Sequence, residues 1–409
     1  MSSLKLGIIG YGLQAQRMEE QLRFQEPSLR LTAIADPRQG QIRAKLEGDG
    51  KAEGIHFYDS AERMLESEDD LDGILVATSC SHHARIGSMV LKSGIPLYLE
   101  KPVATRREDL AILAAAVREA GGAPRAMVSF PLRVTPMVKL AREIIESGVL
   151  GTVEHIQAWN NVTYGWVYYQ TWYRDDKETG GLFLQKATHD FDYINALLSN
   201  RRPNRIAAMT SKRVFRGDHP VGLRCFECPE RRDCRESPYD RLRANPAPLD
   251  QDEELSCAFA VDTGNEDSGS ALIEYDSGMH VVYSQNFYAR GKAGKRGATV
   301  IGYKGTMEFD WYTGLLTVHH HHTGRTDTHN FSASGGHGGG DAVLAANFIE
   351  LMRGEAAPIV TMEAGLLSAL MCLTARDAAA SGRTLDVVMP DFEVATHRER
   401  SENGVHALS

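Results

Sequence analysis

The run KLGIIGYGLQAQRMEEQL, residues 5–22, restricts the possible folds of this chain more than any other feature. An apolar stretch stops at Gly10, and a helical pattern begins at once beyond Gly12. A buried strand that turns through two glycines directly into a helix is the opening of a βαβ unit. The pattern then recurs. LRLTAIADP, LDGILVATS and IPLYLEKPVA read as strands, and the second of these is a continuous apolar run of the kind buried on both faces. HHARIGSMVLKSG and REDLAILAAAVREAGG read as helices that end in glycine. Strands and helices in alternation predict a parallel sheet with right-handed crossovers, a Rossmann-type α/β domain over residues 1–125.

Beyond residue 125 the period changes. After the helical TPMVKLAREIIESGVLG come long stretches of period-two alternation: TVEHIQAWNNVTY, SGSALIEYDSGMHVVYSQNFYA and ATVIGYKGTMEFDWYTGLLTVHHHH. Asp-Ser-Gly and Tyr-Thr-Gly supply their turns. Residues 126–390 are therefore expected to form an α+β domain on a large, mostly antiparallel open sheet. Helices would cover one face. The other would be available to a second copy, giving a homo-oligomer, a dimer or tetramer. Residues 391–409 form a polar tail.

The length of 409 residues suits two such domains. A formal charge of -9 argues against nucleic acid or an anionic membrane as partner. No apolar run approaches the roughly 20 residues of a bilayer span. MSSLKLGIIGYG enters a strand without a leader pattern, so a cytoplasmic location is expected. Six cysteines are too few for a secreted disulfide scaffold.

The pattern G-x-G-x-x-A is met by Gly10, Gly12 and Ala15. Gly10 permits the turn, Gly12 lets a pyrophosphate approach the backbone, and Ala15 lets the helix pack close to the strand. Leu13 and Gln14 begin the helix whose free amides and positive dipole end would face the phosphates. Asp36 ends the next strand, where a carboxylate can accept from the ribose hydroxyls. This favours NAD over NADP, although Arg38 nearby is a residue type that accommodates a 2′-phosphate. The ends of later strands add Thr78, His83, Glu100 and Lys101 to the expected cofactor cleft.

YLEKPVA places Lys101 at a strand end, facing the nicotinamide half of that cleft, and Pro102 turns the chain just after it. GYGLQA, the segment LVATSCSHHARIGSMVLKSGIPLYLEKP and the later GGLFLQKATHDFDYINALL together resemble the glucose–fructose oxidoreductase, inositol dehydrogenase and MocA (Gfo/Idh/MocA) family, over roughly residues 4 to 385. The resemblance implies that the lysine of EKP and a histidine on a helix of the second domain flank the sugar hydroxyl that is oxidised; by motif these are Lys101 and His189. Many relatives carry an aspartate four residues before that histidine. This chain has Gln185 there, followed by Lys186.

Oxidising a secondary alcohol sends a hydride to the nicotinamide and a proton to a base. That base must lie within about 2.6–3.2 Å of the hydroxyl with a pKa near the working pH. His189 suits this without perturbation. Lys101 either loses its charge by desolvation or keeps it and stabilises the developing alkoxide. Gln185 lies one turn before His189 (i, i+4), so it shares that face and can orient a substrate hydroxyl but relay no proton. Lys186 would either depress the pKa of His189 or bind an anionic substrate group.

NNVTYGWVYYQTWYRDDKETGG contributes Trp166, Trp172 and Arg174: aromatic faces for a sugar ring and a guanidinium for an anionic substituent. His337, in SASGGHGGGD, is a second substrate candidate, and Asp341 after it reads as a helix N-cap. YARGKAGKRG, with Arg290, Lys292, Lys295 and Arg296, reads as a solvated basic loop. A sugar or glycoside follows as substrate class. The first mechanism is NAD-dependent dehydrogenation. A second, implied by relatives that are NAD-dependent glycosidases, including ones that cleave sulfoquinovosides, oxidises transiently, eliminates the aglycone, adds water and returns the hydride. A non-catalytic NAD-binding sensor is a third reading, and it has no need of Lys101 or His189.

CFECPERRDC places Cys225, Cys228 and Cys234 at C-x2-C-x5-C spacing. A structural zinc, completed by His219, Cys257 or another subunit, an iron–sulfur cluster and plain thiols all stay open. Four consecutive histidines in VHHHHTG cannot meet at one ion from a strand, because alternate side chains point to opposite faces. Cys80 and Cys372 read as packing residues.

Overall fold

A computed structural model describes residues 3–238, 255–332 and 336–388. The polar tail from 391 lies outside the described residues. Strands β1 (Lys5–Ile9), β2 (Arg30–Ala35), β3 (His56–Tyr58), β4 (Gly73–Val76), β5 (Leu97–Leu99) and β6 (Ala126–Val128) form one sheet in the order β3-β2-β1-β4-β5-β6. Every pairing in it is parallel. The order reverses between β1 and β4, which opens a crevice at their carboxyl ends. Gly10, Thr78 and Lys101 follow β1, β4 and β5 and so rim this crevice. Strand β6, just beyond residue 125, also belongs to this sheet.

The second sheet has nine strands: β7 (Val153–Asn161), β8 (Pro203–Ser211), β9 (Ser268–Tyr275), β10 (His280–Asn286), β11 (Lys295–Gly302), β12 (Gly305–Asp310), β13 (Leu315–His320), β14 (Thr326–Asn330) and β15 (Leu385–Asp386). Their order is β14-β13-β12-β11-β7-β10-β9-β8-β15. All pairs are antiparallel except β10 with β7. The expected alternation is present: Ala271, Ile273 and Tyr275 of β9 are buried while Ser270, Leu272 and Glu274 are not. The helix Thr188–Leu197 lies on the buried face, with Phe191 edge-on to Tyr283 at 5.2 Å and Tyr193 edge-on to Phe309 at 5.9 Å.

Two late helices return to the first domain and fix the cleft between the two halves. Gly340–Arg353 sets Phe348 against Tyr98 with ring centroids 5.5 Å apart. Met362–Ser381 brings Gly365 so close to the first sheet that a Cβ there would sit 2.7 Å from Val128. The same helix meets the second domain, where the Ser368 hydroxyl donates to the Thr188 carbonyl at 2.7 Å. One continuous apolar core therefore runs through both domains.

Candidate active site

Gly10 has φ +85°, and a Cβ on it would lie 2.7 Å from the Thr78 backbone, so only glycine fits the crossing of the β1 and β4 loops. Gly12 differs: it is the N-cap of α1 (Leu13–Gln25), makes no side-chain cap, and a Cβ on it would meet nothing within 4 Å. That open space over an uncapped helix start is the cradle a pyrophosphate needs. Leu13 is exposed and Gln14 half-exposed in the first turn. Asp36 accepts from the Tyr11 amide at 3.1 Å and the Arg38 amide at 2.9 Å. Burial would raise the pKa of Asp36, but hydrogen bonds from Arg38 and these amides outweigh it and hold the carboxyl below its usual range. The Arg38 guanidinium is folded back onto Asp36 at 3.2 and 3.3 Å.

His83, expected among the cofactor contacts, is fully buried beneath the cleft. Its Nδ1 lies 2.8 Å from the Pro102 carbonyl oxygen and its Nε2 3.0 Å from that of Thr78. It braces the two loops and has no ring nitrogen left for a cofactor. Burial and the neighbouring Lys101 push its pKa down to about 4. Glu100 is buried too, and burial raises its carboxyl to about 7 despite the nearby Lys101.

Gly180 and Gly181, both with positive φ, turn the chain into the second-domain wall. The amides of Leu182 and Phe183 then donate to Glu266 at 3.0 and 3.2 Å, which anchors the start of the helix. Phe183–Ala187 is a π-helical turn that leads into Thr188–Leu197. Such wide turns recur at functional sites, and this one removes the regular spacing assumed for Gln185 and His189. The Gln185 side chain is buried and donates to the Thr179 carbonyl at 3.1 Å and the Cys80 sulfur at 3.2 Å, so it is a strut, not a group that orients a substrate hydroxyl. Its backbone oxygen instead accepts from the Lys101 ammonium at 3.2 Å.

Lys101, Lys186 and His189 come together from the two domains. Burial lowers the pKa of Lys101, and the charge of Lys186 lowers it further. Burial and Arg296 push Lys186 down to about 7. Burial, then Lys101, Arg296, His337 and Lys186, hold His189 well below the usual imidazole range, so its ring is neutral. His189 Nδ1 is buried with no partner among the described residues. Its ring lies 6.0 Å from Phe130 and 5.7 Å from His337. His337 takes a left-handed conformation, φ 50°, and its Nδ1 lies 3.0 Å from Asp341. Asp341 is consequently not the expected N-cap; Gly339 holds that position.

Two groups in the site were not singled out from the sequence. The Tyr164 hydroxyl accepts from the Lys186 ammonium, which also lies 4.6 Å from the Tyr164 ring centre and 5.6 Å from that of Tyr168. Asp190 accepts from Asn160, Tyr283 and Arg296, each at 2.8 Å. Arg296 is thus a buried ion-pair partner and not part of a solvated loop, since β11 carries it inward. The aromatic segment also departs from expectation. Arg174 is buried and already engaged by the Asp262 carboxylate at 3.0 Å and Thr263 at 2.8 Å. Trp166 is half-buried, and Trp172 is exposed and stacked on Tyr173 with centroids 4.0 Å apart.

The structure gives the expected zinc no support: among the described residues no three His, Cys, Asp or Glu side chains are grouped as a metal ion requires. In the histidine run His319, His321 and His322 are exposed as expected, whereas His320 is half-buried with its Nε2 2.8 Å from Asp327. No helix among the described residues is long and apolar enough to cross a membrane.

Residues 4–128 match the family profile "Oxidoreductase family, NAD-binding Rossmann fold", and residues 138–308 match "GFO/IDH/MocA C-terminal domain". The rhizopine catabolism protein MocA of Rhizobium meliloti is 27% identical over 53% of this chain and 64% of its own length. A scyllo-inositol 2-dehydrogenase (NAD(+)) of Bacillus subtilis is 23% identical over 48% of this chain and 54% of its own length. The match thus spans only about half to two-thirds of these two relatives. A levoglucosan dehydrogenase solved in complex with NADH and levoglucosan has the same fold, with a TM-score of 0.72 at 17% identity, covering 95% of this chain and all (100%) of that one. With both domain profiles matched in order across the two domains, the chain belongs to the Gfo/Idh/MocA oxidoreductase family.

Proposed function

We propose that this chain is an NAD-dependent oxidoreductase acting on a secondary ring hydroxyl of a sugar or glycoside, with Lys101 and His189 as its acid–base pair. The observation that carries the reading is the convergence of a desolvated lysine from the β5 end and a buried neutral histidine with an orphaned Nδ1 on one cleft. Gly10, Gly12, Asp36 and the start of α1 would hold the dinucleotide, which supplies the hydride acceptor. His189 would take the hydroxyl proton. Lys101, fixed by the Gln185 carbonyl, would donate to the same oxygen and stabilise its developing charge.

Lys186 gives specific support to a second reading. With its pKa near neutrality, it is a further base beside Lys101, as needed to remove the C–H proton next to a transient ketone and eliminate an aglycone. The pair of readings separates in one assay across neutral and anionic sugars and their aryl glycosides. Net NADH accumulation identifies a dehydrogenase; aglycone release with only catalytic NAD identifies a redox-neutral glycosidase. Binding of NAD with turnover of no sugar derivative would replace both by the sensor reading. Met209, Leu272 and Val282 project from the uncovered face of the nine-stranded sheet and support an oligomer through that face, in the cytoplasm where NAD is available.

A further inference from the structure

Four of the six cysteines, Cys225, Cys228, Cys234 and Cys257, line a single cavity of about 580 Å³, remote in sequence from Lys101 and His189. No disulfide joins any of the six. The first three come from the C-x2-C-x5-C segment. The fourth arrives because the Cys225 amide pairs with the Leu255 carbonyl at 2.8 Å and the Cys257 amide with that of Leu223 at 2.7 Å. His219, which also lines the cavity, places its Nδ1 3.4 Å from the Cys257 sulfur.

The arrangement is too open for one ion. A tetrahedral zinc holds each thiolate at about 2.3 Å, and among the described residues no three His, Cys, Asp or Glu side chains are grouped to hold one ion. A cubane spaces its four cysteine ligands around a cage several atoms wide and so needs a cavity between the sulfurs. We propose that Cys225, Cys228, Cys234 and Cys257 ligate a [4Fe–4S] cluster.

The local fold gives the cluster a task. Between β8 and β9 the described residues pair only through isolated bridges, His219 with Ala260 and Arg224 with Ser256, and the apolar cluster beside them is small. Segments without a core of their own are where metal–thiolate bonds supply folding energy. The cluster would also brace the aromatic wall of the sugar site. The Gln170 amide nitrogen reaches the Cys225 sulfur at 3.3 Å and the Glu236 carbonyl at 2.7 Å. Gln170 ends the short helix Val167–Gln170, which carries Tyr168 beneath Lys186.

The test is metal and sulfide analysis of the full chain, purified anaerobically without immobilised-metal resin and then treated with ferrous iron and sulfide. About four iron and four acid-labile sulfide per chain are expected, with visible iron–thiolate absorption. Cys228→Ser and Cys257→Ser lose most of both, whereas Cys372→Ser, in the main core, keeps them. If the serine variants do not fold, the wild-type stoichiometry decides. One zinc per chain overturns the proposal. So does a protein that takes up neither iron nor sulfide under these conditions.

Discussion

The Lys101 ammonium donates to the backbone oxygen of Gln185 at 3.2 Å, joining the end of a first-domain strand to the π turn of the second domain. This bond ties the two domains together across the cleft. It also gives Gln185 a use that its side chain does not reveal: the amide group secures the π turn to Thr179 and Cys80, and the backbone carbonyl positions the lysine.

The two glycines after β1 are predicted to fail differently. Gly10→Ala places a Cβ 2.7 Å from the Thr78 backbone at φ +85°, costing at least about 1–3 kcal/mol and lowering Tm. Gly12→Val meets no protein atom, so Tm stays near wild type while NAD binding weakens by one to two orders of magnitude. Thermal melts paired with calorimetric NAD titration check both.

Cofactor choice is predicted to rest on the Asp36–Arg38 pair. Asp36→Ser removes the carboxylate and releases the Arg38 guanidinium it now holds at 3.2 Å. The ratio of NADP to NAD affinity should rise at least tenfold, about 1.4 kcal/mol. An unchanged ratio would mean that the ribose lies elsewhere.

Lys186 sets a pH dependence of known sign. In the native chain it loses its proton near pH 7, whereas its ordinary value is 10.5. Between those values the unfolded chain binds more protons, so this residue makes stability rise with pH across that window. Lys186→Met should flatten that rise in urea melts at several pH values. If Lys186 serves as a base, the variant also loses the ascending limb of the rate profile near pH 7.

Asp190 and Arg296 form a buried pair whose disruption should be severe. Arg296→Met leaves the Asp190 charge facing only Asn160 and Tyr283, a loss of about 3–5 kcal/mol. Adding Asp190→Asn should recover part of it. Additive losses in denaturant melts would argue against the pair.

How legible each feature was in the sequence follows from its range. The β1 turn, the EKP strand end and the Asp-Ser-Gly hairpin are local, and period and glycine placement reveal them. Arg296 looked like one more charge in a basic loop because its partner Asp190 lies 106 residues away and only the sheet brings them together. Arg174 misled for the same reason, since Asp262 is distant in sequence. Tyr164 is one tyrosine among four in its segment, and only the fold brings Lys186 to its hydroxyl. The π turn left no periodic signal, because its single extra residue shifts Gln185 and His189 without changing the apolar run.

The most direct test of the account is single-turnover hydride transfer from a sugar or glycoside to bound NAD, followed by nicotinamide absorbance in wild type, Lys101→Met and His189→Ala. The account predicts that both variants bind NAD as wild type does and transfer hydride about 10²–10⁴-fold more slowly. Variants that transfer at the wild-type rate would contradict it.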